Sequence, residues 1–329
     1  MGMLKMEKPC RRVAVITRTK NRKILLYRAL ESVCKQTFQD FQWVIVNDGG
    51  AREEVEPVLA EARKRHPATL LVNHETSRGM EAASNAGIAA CDSEYIVIHD
   101  DDDSWEPEFL EKCVRFLDTE RLFDGVITHT LLVNEVLKEN GPHTTSCYGF
   151  NTWLKSVYLM EVLMVNSFPP ISFLYRRSAY DAIGGYDETL PVLGDWDFNI
   201  RFLEKFDIGV IPELLALYHH RDTITDPDDV YGNTVNAGIQ QHVKYDAILR
   251  NRYFRRQSGG SADGALGLLA NFAVMSNWQN SKIDKIGASS LVKGSNRIID
   301  YLLEKFSWFR RLKKKIKGIG GKKSCPSRN

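Results

Sequence analysis

Short apolar runs separated by helix-like stretches limit this chain's fold more than any other feature. The runs are Val13-Ala14-Val15-Ile16, Trp43-Val44-Ile45-Val46, Thr69-Leu70-Leu71-Val72 and Tyr95-Ile96-Val97-Ile98. A strand apolar on both side-chain faces needs cover on both sides of its sheet, and helices between such strands make them parallel. Ile24–Lys35 carries Leu25, Leu26, Ala29 and Val33 at helical spacing; Glu53–Arg65 reads as a polar-faced helix and Gly79–Ala90 as a small-residue one. This order predicts an α/β domain, a doubly wound mixed sheet flanked by helices. Pro107 suits the first turn of a helix through Asp118, Val126-Ile127-Thr128 reads as a further strand, and Asn151–Val165 as a helix over the sheet. From Asn134 the pattern loosens. Ligands of such sheets bind beyond the carboxyl ends of the strands. There stand Thr17-Arg18, Asn47-Asp48-Gly49-Gly50 and His99–Asp103.

Charge is unevenly placed. The 329 residues sum to +2, yet Lys305–Asn329 holds ten Lys/Arg and no acid, leaving the body acidic. That excludes a dedicated nucleic-acid binder and points to an anionic surface met through the tail alone. Ile298, Ile299, Leu302, Phe306, Phe309, Leu312 and Ile316 form a stripe there, interrupted by Lys305 and Lys313, as in a basic amphipathic helix that lies on an anionic membrane. The alternative is a tail whose Phe residues dock on the body. Ser258-Gly259-Gly260-Ser261 reads as a linker. No apolar stretch approaches the length of a membrane-spanning helix, Met1–Arg12 has no secretory apolar region, and six cysteines without metal spacing suit a reducing cytoplasm.

His99-Asp100-Asp101-Asp102-Asp103 is the strongest local signal. Adjacent carboxylates repel, so deleting one should leave stability unchanged or raised. Either a bound cation or a ring of hydrogen-bond donors would hold them together. All-oxygen ligands suit Mg2+ or Mn2+ rather than zinc. With the strand's period of two carried forward, Asp100 and Asp102 share a side while Asp101 points away. The plainer alternative is a solvated acidic loop before the next helix.

Several runs together resemble family 2 inverting glycosyltransferases of the GT-A fold. Val13–Arg22, Gln36-Thr37 and Val44–Gly49 are similar to that family's opening, and Arg78–Gly87 to its third motif. Tyr95–Pro107 resembles its DxD loop. Gly184–Glu188 and Gly194–Phe198 resemble its acceptor-side motifs. The ordered matches span residues 12–225, which implies a GT-A domain over 1–225, with a nucleotide-binding half near 12–130 and an acceptor-side half near 131–225. Residues 226–329 would form a helical extension.

The resemblance implies roles. Asp48 would accept hydrogen bonds from the donor's base. Thr17 and Arg18 would flank the nucleotide, although Thr17-Arg18-Thr19 replaces the usual Pro-Thr-Tyr and removes a ring. Arg78 would meet the diphosphate or the base. Asp100 and Asp101 fall on the donor side, and Asp102 would ligate Mn2+ or Mg2+, with His220, or its neighbour His219, as a further ligand. Asp195 would be the base that takes the acceptor's proton. It holds the second position of a Glu-Asp motif whose first position is Gly194 here, so a supporting carboxylate is missing. Asp197 competes for the role, and both acids could instead cap a helix near Phe198, whose positive end would lower Asp195's basicity. On the acceptor side, Gly185 would allow close backbone approach, and Trp196 and Trp153 would offer ring faces to sugar. Asn85 and Gly87 would serve close packing or donor positioning.

The implied activity is metal-dependent, inverting transfer from a nucleotide sugar (UDP-linked favoured, dTDP- or GDP-linked open) to a glycan or lipid-linked acceptor in polysaccharide assembly. The place would be the cytoplasm, at the inner face of the membrane. A degenerate module that binds nucleotide or glycan without turnover is the alternative. A dinucleotide oxidoreductase ranks far behind, because no GxGxxG follows the first strand. A phosphohydrolase would leave the later motifs unexplained.

Overall fold

The computed structural model describes residues 11–138, 141–221, 229–232 and 239–255. The chain divides into two compact units, residues 1–249 and 250–329. Sheet and site belong to the first. The Ser258–Ser261 linker, the C-terminal stripe and the basic tail lie outside the described residues.

Strand β1 (Val13–Thr19), helix α1 (Lys23–Cys34), β2 (Phe41–Asp48), α2 (Arg52–Arg65), β3 (Thr69–His74), α3 (Met80–Ala89) and β4 (Tyr95–Ile98) follow in the expected order. β2 and β4 pair with β1 in parallel, and β3 with β2. Then come β5 (Ser104–Trp105), α4 (Phe109–Thr119), β6 (Gly125–Lys138), β7 (Gly141–Gly149), α5 (Leu159–Met164), β8 (Phe173–Arg176), α6 (Arg177–Ile183), α7 (Gly194–Leu203), β9 (Ile208–His220) and α8 (Ile239–Arg255). The sheet order is β3-β2-β1-β4-β8-β6-β9-β5, with β7 on β6. β8 runs antiparallel to β4 and β6, so the sheet is mixed.

Both faces of the central strands are sealed. Val13, Val15, Trp43, Ile45, Tyr95 and Val97 pack in one core with Leu26, Leu30 and Val33 of α1, Val55 and Val58 of α2, and Phe109, Leu110 and Leu117 of α4. Each such aliphatic side chain contributes about 1.5–3 kcal/mol by leaving water. On the other face α3 lies close enough that a Cβ on Gly87 would meet Ile16 at 2.5 Å and Val46 at 2.9 Å. The close-packing role expected of Gly87 is met by that approach.

Three local expectations are corrected. Asn151–Val165 is helical only over Leu159–Met164. Asn151 Oδ1 accepts from the Thr130 N–H and Asn151 Nδ2 donates to the Ser167 carbonyl, so this side chain holds an irregular segment against β6. The loosening from Asn134 conceals a long hairpin: β6 runs to Lys138 and returns as β7. Its buried Thr128, Thr130 and Glu135 break the apolar pattern yet sit inside the fold. Ahead of the His pair, Pro212-Glu213 interrupts the pairing with β6. It lies within β9, where the register slips between Thr128 and His129 of β6, the bulge that a proline without an N–H requires. Pro107 lies before α4 rather than in it.

Candidate functional site

The carboxyl ends of β1, β2 and β4 share one edge of the sheet, and the acidic run leaves β4 there. β4 stops at Ile98, so period-two alternation does not extend into residues 99–103, and the expected facing of Asp100 and Asp102 away from Asp101 does not apply. His99 steers the turn. It is fully buried; the Ser32 hydroxyl donates to its Nε2, accepts from the Trp105 N–H, and His99 Nδ1–H donates to the Asp100 carbonyl. Burial lowers its pKa to about 4, so it is neutral.

A ring of donors holds the carboxylates. Arg18 grips Asp100 through Nε at 2.8 Å and Nη2 at 2.5 Å. Arg22 pairs with Asp101 at 2.5 Å and reaches Asp102 at 3.4 Å. Arg221, fully buried, binds Asp102 at 2.5 Å and Glu135 of β6 at 2.8 Å, and Arg28 reaches the same Glu135. Asp103 accepts the backbone N–H of His219. These cations push Asp102 well below the usual carboxylate range against its burial, whereas burial raises Asp101 to about 6. Relief of repulsion is therefore not expected at Asp102, whose removal takes one of two carboxylates from the buried Arg221.

Among the described residues, no three His, Cys, Asp or Glu side chains gather as a metal cage. The anionic Asp102 fits a hard cation of the kind held by one or two carboxylates and completed by substrate phosphates. His219 is poorly suited to join it. Its Nδ1–H donates to Glu135, and its Nε2 faces the Ser104 hydroxyl at 2.9 Å. His220 ends β9 and its ring meets Tyr218 edge-on at 4.3 Å.

The nucleotide-side residues divide. Thr17 is buried and its hydroxyl accepts from the Trp43 indole at 2.9 Å, so this side chain is committed to the core rather than to a ligand. Asp48 ends β2, but its carboxylate is fully engaged. Oδ1 accepts from His74 Nδ1–H and the Arg78 N–H, and Oδ2 from the Ser77 hydroxyl and the Gly79 N–H. In this state it fastens the turn into α3 instead of offering a free acceptor to a base. The Arg78 side chain is open to solvent and touches Glu188 at 3.5 Å.

The acceptor-side residues come from α7 and the loop before it. Leu193 enters the helix at φ 64°, ψ 18°, a left-handed conformation that costs an L-residue about 1–2 kcal/mol. Its carbonyl accepts the Asp197 N–H. Asp195 accepts from Asn166 Nδ2 at 2.6 Å. Burial raises its pKa against the hydrogen bonds from Asn166 and the Trp196 N–H; the field of Arg18 also opposes the rise and that of Asp100 adds to it. Asp197 is instead buried in a 2.7 Å bond from Arg201 Nε, one turn along. Arg201 also donates to the Gly185 carbonyl, and Asn85 clasps the Tyr186 backbone at both ends. Trp196 is 4% exposed and its indole donates to the Val162 carbonyl, so its ring packs between α5 and α7 rather than facing a sugar. Trp153, 57% exposed, keeps an open ring.

Sequence reading passed over Glu81, Arg22, Glu135 and Arg221. Arg22 closes one of the recognised runs, and Arg221 directly follows the His pair. Glu81 is an acid in an otherwise small-residue helix start. Its carboxylate fills the space where a side chain on Gly194 would begin.

Residues 14–184, just over half of the chain, match the profile described as glycosyl transferase family 2. The uncharacterized glycosyltransferase YwdF of Bacillus subtilis is 28% identical over 214 residues, covering 64% of this chain and 75% of that one. The PGL/p-HBAD biosynthesis glycosyltransferase of Mycobacterium bovis is 25% identical over 208 residues, 63% and 73% of the two chains. Among solved structures, S. aureus TarS 1-349 in complex with UDP-GlcNAc matches with a TM-score of 0.56 at 17% identity, over 80% of this chain and 71% of that one. The chain spans 42% of a longer S. aureus TarS chain. Mannosyltransferase PcManGT from Pyrobaculum calidifontis, in complex with GDP-Man and Mn2+, matches with a TM-score of 0.53 at 15% identity, covering 92% and 83%. The likeness to these structures is one of fold, of the GT-A type.

Proposed function

The chain belongs to glycosyl transferase family 2, and on that premise we propose that it transfers a sugar from a nucleotide-sugar donor to a hydroxyl of a glycan or lipid-linked acceptor with inversion, Asp195 acting as the base. One observation supports the reading. On α7, Asp195, bound by Asn166 at 2.6 Å, follows Gly194, whose N–H donates to Glu81, 3.7 Å from Arg18 of β1, and burial raises the basicity of Asp195. A base at that position would adjoin the edge where α/β sheets bind nucleotides.

Asp195 takes the proton of the acceptor hydroxyl, whose oxygen forms the new bond at the anomeric carbon as the nucleoside diphosphate leaves. Arg18, Arg78, Asp48, Asp100 and Asp101 are the donor-side residues; Asp48 acts through the turn it anchors. Asp102, with His220 as the further ligand, would hold Mn2+ or Mg2+, which stabilises charge on a departing diphosphate. Mn2+ accompanies GDP-Man in the Pyrobaculum mannosyltransferase, and UDP-GlcNAc is the ligand of TarS. Gly185 and Trp153 line the acceptor side, and the basic tail provides a seat on an anionic membrane. A panel of UDP-, GDP- and dTDP-sugars, assayed with and without Mn2+, tests the reading. Consumption of one donor that falls on chelation is expected. No consumption, together with undiminished nucleotide binding, would favour the non-catalytic module instead.

A further inference from the structure

Glu81 is the one acid in the first turn of α3, and it is 4% exposed. A Cβ on Gly194 would overlap Oε1, Cγ and Cδ of Glu81, so the two positions share one volume. The Gly194 N–H donates to this carboxylate. Oε2 is buried without a hydrogen-bond partner, and Arg18 Nη1 stands 3.7 Å away, too far for a hydrogen bond. A buried, half-satisfied carboxylate costs free energy, and nothing in the packing of α3 on the sheet requires an acid there.

Resting on the reading of Asp195 as the base, we propose that Glu81 is its positioning residue: it delivers from α3 the second acceptor-side carboxylate that α7 lacks at Gly194, and its charge sets how strongly Asp195 holds a proton. The groups facing it are Arg18 from β1, Asp100 from the loop after β4, Asp195 from α7 and Tyr186 from the loop after α6. Burial, with the like charges of Asp195 and Asp100, raises its pKa to about 7, against the pull of Arg18. Glu81 therefore gains and loses its proton near neutrality. Once ionised, it disfavours the Asp195 carboxylate relative to the acid, which makes Asp195 the stronger base. Glu81 touches no reacting atom, and the acceptor's proton goes to Asp195 alone. A glycine on α7 makes room for an acid on α3.

The test uses the full chain as wild type, Glu81→Gln, Glu81→Ala, Gly194→Glu and the double variant Glu81→Ala/Gly194→Glu. Glu81→Gln should keep donor affinity, lower kcat by roughly tenfold at pH 8, and erase an ionisation near pH 7 from the pH profile. Gly194→Glu alone should lose activity by overlap with Glu81. The double variant should exceed Glu81→Ala, because the carboxylate returns from the α7 side. Carboxyl-carbon NMR titration gives a readout that needs no acceptor: the Asp195 midpoint should fall in Glu81→Gln. An unmoved Asp195 midpoint, an unchanged pH profile in Glu81→Gln, full activity in Gly194→Glu, or a double variant no better than Glu81→Ala would each overturn the inference. Retained transfer in Asp195→Asn would instead overturn the base assignment on which it rests.

Discussion

Above neutral pH the buried Glu81 carries a charge that an amide of the same shape would not. Its pKa of about 7 in the fold stands above the usual 4.5. The folded state therefore holds the proton more tightly, and stability falls as pH rises from about 4.5 to about 7, with the whole penalty present above that. At 1.36 kcal/mol per unit the shift corresponds to about 3 kcal/mol. Glu81→Gln should accordingly stabilise the protein by about 1–3 kcal/mol at pH 8 and much less at pH 4.5, read from urea midpoints at the two pH values. Asp195 and Asp197, two residues apart, should separate by a different measurement. Asp195→Asn should lower transfer by roughly 10²–10⁴-fold with donor binding intact. Asp197→Asn should lose the buried bond to Arg201, hence about 1–3 kcal/mol of stability, and keep most turnover. The opposite pattern in kinetics would exchange their roles.

β6 and β9 pair in the sheet, and one guanidinium ties both to the loop after β4. Arg221 follows β9, is fully buried, and binds both Glu135 of β6 and Asp102 of the loop. Removing Arg221 leaves Glu135 to Arg28 and His219, and Asp102 to Arg22 at 3.4 Å, a loss of up to about 3–5 kcal/mol. Arg221→Met should therefore lower the unfolding free energy extracted from urea titration by that order, and Asp102→Ala should also destabilise. If both variants match wild type in the same titration, the network contributes nothing to the junction. The elements differ in how far they could be read. β1, β2 and β4, apolar throughout, and α1, with its stripe at helical spacing, were legible because each announces its burial by composition. β6 was not, because Thr128, Thr130 and Glu135 are polar residues inside the protein, enclosed by groups far along the chain. Asn151, which fastens an irregular segment to β6, hid the shortness of α5 for the same reason.

At the scale of the molecule, charge separates body from tail. The ten cations of Lys305–Asn329 follow an acidic body, and among the described residues no helix is long and apolar enough to cross a membrane. If the tail seats the enzyme on an anionic bilayer, attachment should be weak and salt-sensitive. Each Lys/Arg adds about 1 kcal/mol near the surface, screened over about 8–10 Å at physiological salt. A chain ending at Ser295 should then lose co-sedimentation with anionic vesicles and keep transfer to a soluble acceptor. Binding that survives the truncation would move the contact elsewhere, and activity lost with it would make the tail part of the catalytic fold.

The alternation of apolar runs and helices determined a parallel-centred sheet and the edge at which a site would form, since burial on both faces of a strand is a property of its own residues. The ordered runs from Val13 to Phe198 likewise carried the family. Which charges neutralise one another was decided only by tertiary structure. Arg18, Arg22 and Arg221 come from separate elements, and each finds a different member of one acidic run. The same holds for Thr17 and Asp48, whose partners Trp43 and Ser77 turned expected ligand contacts into internal ones. It holds most plainly for Glu81 and Gly194, 113 positions apart in the chain. A glycine on one helix and a carboxylate on another are unrelated positions in sequence, and packing Glu81 of α3 beside Gly194 of α7 makes them share a single volume.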